Sequence, residues 1–302
     1  MKSQSKNLVV ERAQPWLGTL VSIRVEGLPV SDAHRAIDAA FEEIATVHRL
    51  MSFHEASSDV SRLNANGDCL PAAVHAWTLD VLRWALRFSL LSDGCFDVSV
   101  GAELVDWRLL PASRGAVRRP EGSWRDIEVR SDGKVRFHRP LWIDLGGIAK
   151  GYAVDRATEC LRARGTVFSV VNAGGDIRVG GQRTEPIGLE VGPAHTQFPM
   201  NALPVIELTD GSMASSSGHR QRRWHRGRLC GPHVDGARRT PTATDRFVCV
   251  IAEQCIVADA LTKIVMAKGA ECAALLGHCG ASAHIHDPGS GWRHVGAGLE
   301  VA

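Results

Sequence analysis

The spacing of apolar positions changes period several times along the chain, and each change predicts an element. Trp16 to Glu26 (WLGTLVSIRVE) carries β-branched side chains in alternation and stops at Gly27 and Pro29, which predicts a strand. Past Ser31, read as an N-cap, Ala33, Ile37, Ala40, Phe41, Ile44 and Val47 recur at helical spacing. A polar, turn-rich stretch from Ser57 interrupts the pattern, and AAVHAWTLDVLRWALRFSLLSDG resumes it as a helix that ends at Gly94. Residues 111 to 125, rich in Pro, Gly and Arg, read as a surface excursion. IEVRSDGKVRFHRP, with Asp-Gly between alternating segments, reads as a β-hairpin.

In the second half, IDLGGIAKGYAVDRA (143 to 157) is a short apolar run broken by glycines, and a helix is expected from Tyr152 to Arg164. VFSVVNAGGDIRVGG reads as a buried strand that turns at its glycines and resumes. PIGLEVG, LPVIELTDGSMASSS and RFVCVIA read as further strands, ADALTKIVMAKGAECAALLGHCG as a helix and ASAHIHD as a last strand. No internal repeat or low-complexity linker divides the chain. The pattern predicts one mixed α/β (α+β) unit over residues 1–302.

Charge and cysteine content narrow the function classes. Thirty-five basic and thirty-three acidic side chains leave a net charge of +2, which gives no global attraction to nucleic acid or to an anionic membrane; anion binding must be local. The run HRQRRWHRGR, with five arginines around Trp224, could grip phosphates, but in a chain of this charge it reads first as a solvated loop. Eight scattered cysteines form no CxxC pair and no zinc-finger spacing, which suits a reducing compartment. No apolar run reaches the length of a membrane span, and the N-terminus carries no apolar signal segment or lipoprotein cysteine. A cytoplasmic location is expected.

Candidate chemistry gathers at glycine turns and at two carboxylate-bearing stretches. GGIAKG (146 to 151), NAGGD (172 to 176) and SSSGH (215 to 219) each follow an apolar run, where bare backbone amides can approach an anion. Singly, each reads first as a structural corner; GGIAKG is neither a Walker loop nor GxGxxG. Lys150 at a helix start opposes the helix dipole and asks for an anion to compensate it. CFDVSVG offers Asp97 and Ser99, and VADALTK offers Asp259 and Thr262, oxygen groups of the kind magnesium takes beside a phosphate. Asp259 is equally readable as the N-cap of the helix that follows.

Taken in order, LGTLVSI, MSFHEASSDVSRLN, GCFDVSVGAELVDW, IDLGGIAKGYAVDRA, VNAGGDIRVGG, SSSGHR, HVDGARRTP and CIVADALTKIVMAKG resemble the ApbE family of FAD:protein FMN transferases. The resemblance implies a tunnelling-fold type of mixed α/β architecture and binding of FAD with magnesium. It further implies transfer of FMN to a threonine hydroxyl of a partner flavoprotein through a phosphoester bond. It places Met51, Asn64, Asp97, Ser99, Lys150, Gly174 and Gly175 around the flavin nucleotide, with Lys150 near the adenylate and diphosphate. It assigns the metal to the Ala149 carbonyl and to Asp259 with a neighbouring threonine, and catalysis to a histidine.

Two positions depart from the family pattern. The family threonine lies four residues after the aspartate, where this chain has Lys263; Thr262 is one step earlier, about 100° around a helix. Lys263 is therefore a candidate to stand in for the metal. The family's His-Ile-Ile-Asp-Pro element is matched by CGPHVDGARRTP, with Pro232 at the histidine's spacing, His233 one residue nearer to Asp235 and Gly236 in place of proline. These departures keep two alternatives open: a flavin-binding protein without transferase activity, and an FAD diphosphatase.

Overall fold

The strands of the largest sheet lie side by side in the order in which the chain makes them. They are β1 (Val9–Trp16), β2 (Thr19–Glu26), β3 (Phe168–Ala173), β4 (Ile177–Gly180), β5 (Ser212–Ser217), β6 (Phe247–Ala252), β7 (Ser282–Asp287) and β8 (Gly291–Val295). Every neighbouring pair is antiparallel. This architecture comes from a computed structural model of the chain that describes residues 8–67, 69–112, 120–191, 204–219, 221–242 and 245–296.

Helices fill the long connections. Between β2 and β3 run α1 (Val30–Met51), α2 (Asp59–Ala65), α3 (Ala76–Leu91), α4 (Gly101–Asp106) and α5 (Ala149–Ala163). Between β6 and β7 run α6 (Cys255–Lys268) and α7 (Ala273–His278). The two-residue period of the strands divides the sheet's side chains between two cores. Val171, Ala173, Ala214, Val248 and Val250 face Ile37 of α1, Ala153 of α5 and Leu261 of α6. Phe168, Met213, Phe247 and Cys249 point the other way and pack with Ile206 and Leu208. Those two belong to a hairpin formed by Glu185–Gly188 and Val205–Leu208.

Much of the expected pattern is present. The Asp-Gly hairpin pairs Ile127–Val129 with Lys134–Phe137, and VFSVVNAGGDIRVGG folds into β3 and β4. Several details differ, among them the single helix read from Ala258 to Gly280, which breaks at Gly269 (φ 60) into α6 and α7. The segment Trp16 to Glu26 contains a turn rather than one strand: Leu17 (φ 55) and Gly18 (φ 73) both take left-handed backbone, the twist that a two-residue hairpin needs, and β1 precedes them. Ser31 is not the cap of α1. That helix begins at Val30 after Pro29, whose carbonyl receives the Ala33 amide at 2.8 Å. LPVIELTDGSMASSS divides at Asp210 (φ 44) into a strand of the small hairpin and β5 of the large sheet.

Within and just beyond HRQRRWHRGR, Arg223–His225 pairs with Arg228–Cys230 in a short hairpin that leaves Trp224 exposed. The excursion read over residues 111 to 125 falls partly outside the described residues. All eight cysteines are free thiols. Among the described residues, no helix is long and apolar enough to cross a membrane.

Candidate active site

Helices α5 and α6 meet at their N-terminal turns, so closely that a side chain on Gly151 would lie 2.3 Å from the Cys255 carbonyl oxygen. Only glycine permits this approach, and it brings each helix start within reach of a carboxylate on the other helix. Asp155 of α5 accepts hydrogen bonds from the amides of Cys255 and Ile256, both at 2.9 Å. Asp259 of α6 accepts one from the Gly151 amide at 3.0 Å. The helix dipoles favour both carboxylates at these positions. Asp259 thus caps α5 from within α6, which begins four residues earlier; it is not the N-cap of its own helix. Helix α5 also starts three residues before Tyr152, so Lys150 sits in its first turn.

The anion that Lys150 asks for comes from the protein itself. Its ammonium is bound to Oδ2 of Asp176, in the β3 to β4 turn, and lies 3.8 Å from Oδ1 of Asp259. Lys263, one helical turn beyond Asp259, binds that same Oδ1. Both carboxylates are fully buried, whereas the Lys150 and Lys263 side chains keep 27% and 16% of their surface accessible. The quartet therefore has buried carboxylates held by lysines whose side chains are partly accessible. Burial raises the Asp176 pKa, helped by Asp259, against the pull of Lys150 and Lys263. Burial also acts to raise Asp259, yet Lys150 and Lys263 hold it below the usual carboxylate range. Burial acts to lower Lys150, but Asp176 and Asp259 outweigh it and keep the ammonium charged.

His233 borders this quartet from the connection between β5 and β6. Burial lowers its pKa to about 4, with the Lys263 and Lys150 charges adding to the shift and a hydrogen bond to the Ser217 backbone opposing it. That shift favours the neutral imidazole. The Gly147 corner rests on the Lys263 stem, 3.6 Å from where a side chain would begin, and near Phe96. The opening of α5, the CFDVSVG segment and α6 therefore come together at one place.

The remaining expected residues have other partners. Met51 is buried in the core beneath the sheet. Asn64 clamps the backbone of Ile143 from both sides, donating to its carbonyl at 2.8 Å and accepting from its amide at 2.7 Å. Asp97 accepts the Ser99 amide at 2.7 Å and Arg239 at 3.1 Å, while Ser99 Oγ accepts Arg239 at 2.8 Å. Gly174 and Gly175 take left-handed backbone, and added side chains would strike Thr19 Oγ1 and Ser215 Oγ, both at 2.4 Å. Asp176 and Arg239 escape the sequence reading. Asp176 is the last residue of NAGGD, where the glycines drew the reading, and Arg239 lies in HVDGARRTP, six residues past His233.

A family model described as the ApbE family matches residues 17–283. The chain belongs to the ApbE family. Among relatives named FAD:protein FMN transferase, one from Vibrio cholerae serotype O1 is 27% identical over 278 residues, 87% of this chain and 82% of its own length. Another, from Haemophilus influenzae, is 29% identical over 62% of this chain and 58% of its own length. The solved ApbE protein of Thermotoga maritima superposes with a TM-score of 0.81 at 24% identity, covering 95% of this chain and 97% of that one. The apo flavinyl transferase ApbE of Pseudomonas stutzeri gives 0.79 at 21% identity, covering 97% and 98%. At these identities the superpositions speak for the mixed α/β fold alone.

The magnesium ion that the ApbE resemblance implies does not fit the donors present. Asp259 Oδ1 is bound to the Lys263 ammonium and Oδ2 to the Gly151 amide, so a divalent ion there would share an oxygen with a fixed positive charge. The buried Thr262 hydroxyl donates to the Asp259 carbonyl at 2.7 Å and meets Ser216 Oγ at 2.9 Å. The carbonyl of Ala149, first residue of α5, is directed along the helix toward the Ala153 amide. Asp176 Oδ1 is buried without a hydrogen-bond partner among the described residues, but a single oxygen is far from the octahedron that magnesium demands.

Proposed function

We propose that this ApbE-family chain is an FAD:protein FMN transferase, acting as one unit over residues 1–302. The observation that carries the reading is the pair of partly accessible lysines, Lys150 and Lys263, held on the buried carboxylates Asp176 and Asp259 at the N-terminus of α5. A diphosphate needs positive groups held in place, because its transfer is governed by positioning and charge stabilisation. The buried carboxylates fix both lysines, so little reorganisation accompanies reaction.

In the proposed step, the threonine hydroxyl of an acceptor flavoprotein attacks the phosphorus on the FMN side of FAD. The new bond joins that oxygen to phosphorus. The bond from phosphorus to the bridging oxygen breaks, and AMP leaves with the bridging oxygen. His233 takes the hydroxyl proton, and Lys150 and Lys263 stabilise the charge that gathers on the phosphate oxygens. No step passes through a metal.

Incubation with FAD and a set of flavoprotein acceptor domains tests the proposal by intact mass. A gain of one FMN on a threonine, with equimolar AMP released, is the expected result. AMP and free FMN without modified acceptor would instead mark a diphosphatase, and intact bound FAD a binding protein.

A further inference from the structure

We propose that Lys263 is the resident cation of the diphosphate site, a covalently fixed ammonium that makes FAD binding independent of a divalent metal. The inference deepens the transferase reading and rests on it. Two observations converge on it. The first is position: Lys263 lies one turn after Asp259 on α6, and its ammonium is on Oδ1 of that carboxylate. The second is charge. Two fully buried carboxylates, Asp176 and Asp259, require two positive charges, and Lys150 with Lys263 supplies them.

A divalent ion added to this quartet would leave surplus positive charge next to Lys263 and would have to displace its ammonium from Asp259. Removing Lys263 reverses the situation. Asp176 and Asp259 would then face Lys150 alone, and the uncompensated buried carboxylate would draw a cation. A threonine at position 263 would add an oxygen donor one turn from Asp259, within reach of the same point.

The tie between Lys263 and the glycine corner supports the same assignment. Its stem passes 3.6 Å from where a side chain on Gly147 would begin, an ordinary packing distance that sets the lysine against the corner. The ammonium is thereby held at the start of α5, where the helix dipole also attracts phosphate oxygens.

The test measures manganese binding by electron paramagnetic resonance, and FAD affinity in chelator and in excess magnesium, for the native chain and for Lys263→Thr. The native chain is expected to bind no manganese and to show FAD affinity unchanged within about twofold by chelator. Lys263→Thr is expected to bind manganese and to lose at least about tenfold in FAD affinity on chelation. Stoichiometric manganese on the native chain, or a tenfold fall in its FAD affinity on chelation, would overturn the assignment. Lys263→Met, which removes the charge without adding an oxygen, should bind FAD more weakly in both conditions; unchanged affinity would also overturn it. These readouts need no acceptor, so a missing transferase activity leaves them decisive. Should FAD fail to bind at all, the functional reading falls and the manganese measurement alone decides.

Discussion

Helices α5 and α6 use one device twice, and the two copies have different surroundings. Asp155 caps α6 and is paired with Arg178 at 2.5 Å, a guanidinium whose side chain keeps only 10% of its surface accessible. Asp259 caps α5 and is paired with Lys150 and Lys263, both more open to solvent. At Asp155 burial outweighs Arg178 and the carboxyl pKa is raised; at Asp259 two ammonium groups outweigh burial and it is lowered. The first copy closes on itself and joins two helices. The second is held by two lysines whose side chains keep 27% and 16% of their surface accessible. The same capping geometry thus supports structure at one end and, in the proposed reading, chemistry at the other, and the copies differ in the accessibility of the cation.

The largest expected effect breaks this symmetry by removing one cation from each copy. Lys150→Met strands Asp176 in the interior and should cost about 3 kcal/mol or more of stability. Arg178→Met strands Asp155 and should cost a similar amount. Their effects on function should part: Lys150→Met should lower transfer by about 100-fold or more, while Arg178→Met should leave FAD affinity near its native value. Lys150→Met should also weaken FAD binding, and chemical denaturation, FAD titration and the transfer assay on both variants check this. Adding Asp176→Asn to Lys150→Met should recover stability without recovering FAD affinity. An Arg178→Met variant that loses FAD affinity as severely as Lys150→Met would remove the distinction between the two copies.

A middle-sized effect bears on the contact that both copies share. Gly151→Ala places a methyl group against the Cys255 carbonyl and the Asp259 side chain. The helices must separate, at a cost of about 1 to 3 kcal/mol. Separation also lengthens the bond from the Gly151 amide to Asp259, so FAD affinity should fall along with the melting temperature. Calorimetry and FAD titration would show whether the two losses occur together.

These relations show how far the residues could be read in advance. Lys150 and Asp259 stand out in the sequence itself, Lys263 stands out only against the ApbE resemblance, and the periodicity of α1 and the continuous apolar run at 247 to 252 are visible by eye. Their partnership is not visible. Asp176 lies 26 residues from Lys150, and Gly151 lies 108 from Asp259, so nothing in local spacing signals either contact. The lysine's need for an anion was legible, but the source of that anion was not, because a ligand and a buried carboxylate satisfy it equally. Strand β1 stayed hidden for a different reason: Leu17 takes a left-handed conformation that leucine rarely adopts, so the turn carries only half of its usual signal. Asp97 was legible as a candidate carboxylate and Asn64 only through the resemblance, and their hydrogen bonds go to Ile143, Ser99 and Arg239.

The smallest effect on stability distinguishes the site from the opposite face of the sheet by acid. His233 borders the quartet, whereas His284 stands opposite Cys249 on the face turned away from α6. Burial lowers both imidazoles from 6.5 to about 4, with Lys263 adding to the shift at His233 and His294 at His284. Between those pH values the unfolded chain binds more protons than the folded one. Their contribution to stability is therefore complete above the unfolded pKa and is lost as pH falls toward about 4. Either His233→Gln or His284→Gln should flatten the decline measured by denaturation across that window. Only His233→Gln should also slow FMN transfer, by about 100-fold at neutral pH with FAD affinity retained, because its neutral ring is the proposed proton acceptor. Equal transfer rates in the two variants would show that both histidines serve folding alone and would move proton acceptance to another group.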